Sequence, residues 1–283
     1  MELDYGVDSL QITDEEVNKQ IEGEKGDENQ EDFRTLKIAT HNINGIKRNS
    51  VKLELLLEWA KKEKIDLLGI NETNTTEIQN RYRLKNQNDY LGIWTNAEEN
   101  KKKGSGIGLI MNKKWEKHLS QVRRSNAYYL EALFIFKKQK IIIIVVYIPH
   151  NDHKIRKDIQ QQVIKKAYKC QSKATKVIIL GDFNDLRCKD LDQSRNESKR
   201  VQKLPLLSWL GNSSMIDAFR KLHPHTKKFT RANELVKSRI DYICVSKDLG
   251  QGLLYCDIID ADSITNSDHS IVVAKRKTIT KLD

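Results

Sequence analysis

The chain has 283 residues, enough for one large domain or two small ones, and at 38% hydrophobic it can bury a substantial core. Mean hydropathy of −0.64, 31% charged residues and no apolar run longer than 141–148 exclude a helical membrane span and point to a soluble protein. The net charge of +11 is unevenly spread: residues 1–34 hold twelve Asp/Glu and three Lys/Arg, the remainder 27 and 47, so an acidic segment of −9 precedes a basic body of +20.

A basic body suggests a polyanionic partner, nucleic acid first and an anionic membrane second. The plain alternative is a lysine-rich surface that serves solubility alone. Residues 1–34, polar and poor in aromatics, read as a disordered tail, and 278–283 as a short C-terminal one. The four cysteines, Cys170, Cys188, Cys244 and Cys256, lack the spacing of a zinc site or redox motif. No basic start leads into an apolar stretch, so the expectation is an intracellular protein of nucleus or cytoplasm, not a secreted one. Nothing in the sequence calls for an obligate protein partner, and a monomer is expected.

Between the tails, residues 35–277 read as one domain. Residues 36–39 form a short strand, and His41-Asn42-Ile43-Asn44-Gly45 follows as a loop. Asn49-Ser50 offers a cap for a helix over 51–62, with Leu53, Leu56, Leu57 and Ala60 on one face. The next strand, 65–70, delivers Asn71-Glu72-Thr73 directly off its end. Segments 89–96 and 105–111 pair as strands, and the tip between them carries Lys101, Lys102 and Lys103. That tip is a solvated turn or a contact to a phosphate backbone. Residues 128–136 and 140–147 form a hairpin ending at Tyr147-Ile148-Pro149. Asn151 or Asp152 caps a long helix to about 171.

The strand 177–180 then runs into Gly181-Asp182-Phe183-Asn184. Spaced by two in extended chain, Asp182 and Asn184 lean to one side. One can take a proton, while the other donates and accepts hydrogen bonds without competing for it, which suits the positioning of a water. A simple turn uses the same residues. After a polar loop over 186–202 and a short helix over 204–210, the last strands are 240–245, 254–259 and 270–274. Asp241 sits near the start of the first, and Asn266-Ser267-Asp268-His269 precedes the last.

Polar residues thus lie beside strand ends at Asn42/Asn44, Glu72, Tyr147, Asp182/Asn184, Asp241 and Asp268/His269. Each alone reads as structural. Together, in this order, the chain resembles the endonuclease/exonuclease/phosphatase superfamily, the deoxyribonuclease I-like fold. The segments that carry the resemblance are His41–Gly45, Ile70–Thr73, Tyr147–Pro149, Gly181–Asn184, Ser238-Arg239-Ile240-Asp241-Tyr242 and Ser267–His269. The resemblance implies a four-layer α/β sandwich, two packed mixed β-sheets flanked by helices, with the site at one mouth of the sheets. It implies a phosphodiester hydrolase that uses Mg²⁺, with Mn²⁺ as the substitute. Glu72 would be the principal metal ligand, Asn42 would hold Glu72 or the metal's shell, and Asp268 would bind or tune a metal from the opposite side. Asp182 would activate water with Asn184 orienting it, and Tyr147 would donate to a phosphate oxygen. His269 would face the scissile phosphate, its other nitrogen held by Asp241, with Asn44 and Ser267 in support.

Departures from the abasic-site repair nucleases of the superfamily narrow the reading. Those enzymes usually have Asp at the position of Asn44, Gln at Asn71, Asn at His150 and Trp at Ser238. Asn44 and Ser238 look more like the endonuclease domains of non-LTR retrotransposons. The expectation is a nuclease that nicks double-stranded DNA. A phosphatase or phosphodiesterase of the same fold, acting on RNA, inositol phosphates or a phospholipid, is the alternative within the superfamily. A catalytically inactive nucleic-acid-binding module is the alternative outside it.

Overall fold

The computed structural model describes residues 35–101, 103–137, 139–195, 205–233 and 235–277. In chain order the first strands are β1 (Thr35–Asn42), β2 (Leu67–Asn71), β3 (Tyr90–Trp94), β4 (Gly108–Asn112), β5 (Leu119–Asn126), β6 (Tyr129–Phe136) and β7 (Gln139–Tyr147). They continue with β8 (Lys176–Asp182), β9 (Met215–Asp217), β10 (Arg231–Ala232), β11 (Lys237–Ser238), β12 (Asp241–Ser246), β13 (Leu253–Ile259) and β14 (Ile271–Lys277). One six-stranded sheet runs β13-β14-β1-β2-β4-β3 and a second runs β5-β6-β7-β8-β12-β9, while β10 and β11 form a separate small hairpin.

Each large sheet is mixed. In the first, β1 and β2 are parallel, joined by the crossover helix Val51–Lys62. In the second, β7 and β8 are parallel, joined by the helix His153–Ser172. Strands covered on both faces read as continuous apolar runs, and β7 holds Ile141 to Val146 without a polar interruption. The alternation of neighbouring strands builds the layers. Leu67, Leu109 and Met111 join the core shared with β7 and β8, whereas Leu68, Ile70 and Ile110 turn to the other face and meet Leu53, Leu56, Leu57 and Ala60 of the first helix. The result is the four-layer α/β sandwich.

Asp152 caps the second crossover helix, while at the first Ser50 makes no side-chain cap bond and the neighbouring Asn49 bonds the helix start. Asn49 Oδ1 accepts from Val51 N at 3.1 Å, and Asp152 Oδ1 accepts from Ile155 N at 3.0 Å. Three differences from the sequence reading come from strand pairing. β1 extends through His41 and Asn42, because parallel pairing with β2 sets His41 beside Ile70 and Asn42 beside Asn71. β5, with its mostly exposed polar residues, is an edge strand that only its pairing with β6 reveals. β9 is three residues long and is fixed by β12.

This topology gathers one end of both sheets. β1, β2, β7 and β8 all finish there, and antiparallel β12 and β14 start there, with Asp241 in register with Asp182. Polar residues far apart in sequence therefore converge at one mouth.

Candidate active site

At this mouth the β8 strand ends in Gly181 and Asp182. Gly181 has φ +138, and a Cβ there would collide with the Val146 carbonyl, so only glycine lets β8 lie this close to β7. Asp182 is buried. Its Oδ1 accepts from Asn184 N at 2.8 Å, and its Oδ2 accepts from Asn42 Nδ2 at 3.0 Å and Asn184 Nδ2 at 3.3 Å. Asn184 Nδ2 also donates to Ile148 O at 3.1 Å, tying the 147–152 loop to the same point.

Asn42 bridges two carboxylates: the same Nδ2 donates to Glu72 Oε1 at 2.8 Å, and Oδ1 accepts from Asn44 N at 3.0 Å. Asn44, Glu72 and Asn184 have φ of 50, 55 and 48, in the left-handed region. Asparagine adopts it readily. Glu72 adopts it at a cost of about 1 kcal/mol, which the surrounding bonds sustain. Glu72 is half-buried, and among the described residues no lysine or arginine pairs with it. A partly exposed carboxylate kept free of cationic side chains fits a hard divalent cation.

His269 closes the other side. Its Nδ1 donates to Asp241 Oδ2 at 2.9 Å, and its Nε2 stands 4.0 Å from Asp182 Oδ2. Burial disfavours the charged ring, but the Asp241 charge and hydrogen bond, helped by Asp182 and Asp268, outweigh it and raise His269 to about 9. Burial and the neighbouring Asp241 carboxylate push Asp182 up, to about 7, against the pull of His269. The site therefore pairs a carboxylate able to take a proton near neutrality with a charged imidazole. Asp182, Asp241 and His269 also lie close enough to chelate a metal. A protonated ring already donating to Asp241 is a poor ligand, so Glu72 is the better metal residue.

The remaining predicted residues gather here too. Ser267 Oγ donates to Asn42 O at 2.7 Å and accepts from His269 N at 3.2 Å, joining β1 to the His269 loop. Tyr147 is buried, and desolvation with the Glu72 and Asp182 charges raises its phenol well above the ordinary value, so it stays protonated. It stacks on Tyr128, with centroids 6.1 Å apart. Lys101 Nζ donates to Tyr128 OH at 2.7 Å and pairs with Glu98 at 3.2 Å, so this lysine is engaged within the rim. Lys103 is exposed. Lys102 lies outside the described residues. At Asp268, Oδ1 accepts from Asn44 Nδ2 at 3.1 Å, and Oδ2 accepts from Arg231 Nε at 3.1 Å.

The match to known proteins follows the same residues. The model of the endonuclease/exonuclease/phosphatase family covers residues 39–269. The chain belongs to that family. It is accordingly a hydrolase of phosphoric ester bonds. Solved structures share the deoxyribonuclease I-like fold. An AP endonuclease from Leishmania major superposes with a TM-score of 0.72 at 16% identity, covering 87% of this chain and 88% of that one. A 3′ phosphatase from Neisseria, bound to a product DNA hairpin, gives 0.68 at 16%, covering 86% and 100%. An AP endonuclease from Archaeoglobus fulgidus gives 0.64 at 18%, covering 84% and 98%.

Within the family framework, several residues given no role by the sequence carry the geometry. Asn71 reaches from one sheet to the other: Nδ2 donates to Val146 O at 2.8 Å and Oδ1 accepts from Asp182 N at 3.1 Å. Thr230 Oγ1 accepts from Ile240 N at 3.0 Å and Asp241 N at 3.1 Å, while its carbonyl accepts from Ser270 N, so one buried threonine sets Asp241 against His269. Arg239 is buried between Asp192 and Asp217, with Nε to Asp192 Oδ1 and Nη2 to Asp217 Oδ2 both 2.8 Å. It pins the segment after Asn184 beneath β12. Arg239 sits inside the matched motif, a signal that was available. Asp192, Asp217 and Thr230 carry none, since only the fold brings them near. His41 is buried with Nε2 2.8 Å from Thr265 Oγ1, and burial, then the His269 charge, lowers it to about 3. Its imidazole stays neutral while that of His269 is charged.

Proposed function

We propose that this hydrolase is a metal-dependent endonuclease that nicks double-stranded DNA, with a site of the retrotransposon-endonuclease type. The observation that carries the reading is the Asp182–His269–Asp241 arrangement, opposed to Glu72 through Asn42, at the mouth of a body with +20 net charge. Such a body suits a polyanion far better than a small neutral ester.

Glu72 would hold a divalent ion, Mg²⁺ with Mn²⁺ as substitute, whose bound charge favours attack at phosphorus. Asp182 accepts the proton of the attacking water, which Asn184 orients. His269, kept charged by Asp241, faces the phosphate and neutralises the charge that develops there. Tyr147, kept protonated, donates a hydrogen bond to a phosphate oxygen.

Ser238 supports broad rather than abasic-site specificity. It lies in β11, half-buried and held through its carbonyl by Thr230 N at 2.9 Å, and its small side chain offers little apolar wall for a flipped-out sugar. Matched duplexes, intact or carrying a tetrahydrofuran abasic analogue, test this. Comparable rates are expected. A thousandfold preference for the abasic duplex would place the chain among repair nucleases. A 3′-phosphorylated duplex in the same assay checks the second reading, a 3′-end phosphatase, which the Neisseria likeness raises.

A further inference from the structure

The resemblance makes Asp268 a metal residue, but the structure gives both of its oxygens other partners. Asn44 Nδ2 donates to Oδ1 and Arg231 Nε donates to Oδ2, each at 3.1 Å. The arrangement is built from the backbone up. Arg231 pairs with His269 in an antiparallel bridge, Ala232 N donates to Asp268 O at 3.1 Å, and Arg231 also pairs with Ser238 in the β10–β11 ladder. The Arg231 backbone is thus fixed beside that of His269, and its side chain reaches the Asp268 carboxylate. Only Nε is engaged; among the described residues no group accepts from its Nη atoms. The side chain is 41% exposed at the mouth. Asn44, where a carboxylate would add a second negative ligand, instead donates a hydrogen bond. A dication at Asp268 would face a fixed like charge and lose the carboxylate it needs.

Resting on the endonuclease reading above, we propose that Arg231 takes the place of a second metal ion. The site then binds one divalent ion, at Glu72, and the free Nη groups of Arg231 receive a phosphate of the substrate backbone. A guanidinium presents planar paired donors that match phosphate oxygens.

Two measurements on the full chain test this. The first is Mn²⁺ binding, followed by electron paramagnetic resonance without DNA. One ion per chain is expected, with affinity changed less than threefold in Asp268→Asn. Two ions, or a loss of threefold or more in Asp268→Asn, would overturn the proposal while leaving the endonuclease reading standing. No Mn²⁺ binding at all would remove both. The second is affinity for a duplex in EDTA across a salt series. Arg231→Ala should bind at least fivefold more weakly, with a salt slope shallower by about one. Affinity less than fivefold weaker, or an unchanged slope, would remove Arg231 from the phosphate. Because Arg231 pairs through its backbone, the variant keeps the hairpin, and a melting curve confirms it.

Discussion

Asp241→Asn isolates the charge that keeps His269 protonated. The substitution preserves shape and removes one negative charge 2.9 Å from Nδ1. In the native site the balance between burial and the surrounding carboxylates, Asp241 foremost, lifts the ring from 6.5 to about 9. That difference is on the order of 3 kcal/mol in favour of the imidazolium. With Asp241 neutral, the ring loses its largest source of charge stabilisation and should titrate well below the native value. At pH 7.5 the charged fraction then falls from nearly all, and the rate falls with it by on the order of 10-fold. The direction with pH follows. Native cleavage needs the charged ring, so it falls as pH rises through about 9, whereas the variant falls at lower pH. Stability moves the same way. A raised folded pKa contributes stability that is fully present below 6.5 and is lost as pH climbs through about 9, and the variant lacks this alkaline loss. Cleavage rates from pH 5 to 10, with the imidazole carbon shift followed by NMR, provide the assay. An alkaline limb that stays near 9 in the variant would refute the reasoning.

Three further outcomes are expected. Glu72→Gln keeps size and loses the charge that would hold the metal, so cleavage should drop by roughly 10²-fold or more while the melting temperature holds; native-like cleavage would remove Glu72 from the chemistry. Asn71→Ala leaves the Val146 carbonyl and Asp182 amide unpaired in the interior, at about 1–3 kcal/mol each; a urea titration showing under about 1 kcal/mol in total would deny the bridge between sheets. Replacing Lys101, Lys102 and Lys103 by Ala should weaken DNA binding and flatten its salt dependence, yet leave single-turnover rates in saturated complexes unchanged; a fall in that rate would move these lysines into the chemistry.

Much of this architecture is legible in the sequence because it is local. The apolar run into Gly181-Asp182, the period of Leu53, Leu56, Leu57 and Ala60, and the Asp152 cap each reflect physics within a dozen residues. The six polar positions were readable because each sits beside a strand end, and the fold brings all of them to one mouth. What escaped is long-range. His41 looked like a loop residue because nothing in its neighbourhood announces the parallel pairing with β2. Arg231 is 38 residues from His269 and 37 from Asp268, and only the bridge between their backbones makes it part of the site. Asp192 and Asp217 acquire meaning only once Arg239 is buried between them.

The most direct test of a metal-dependent endonuclease is the conversion of supercoiled plasmid to the open-circular form by the purified chain. With Mg²⁺ the account predicts single nicks accumulating before linear product, no nicking in EDTA, and recovery when Mg²⁺ is restored. Undiminished nicking in EDTA, or an intact plasmid under every divalent ion tried, would contradict it.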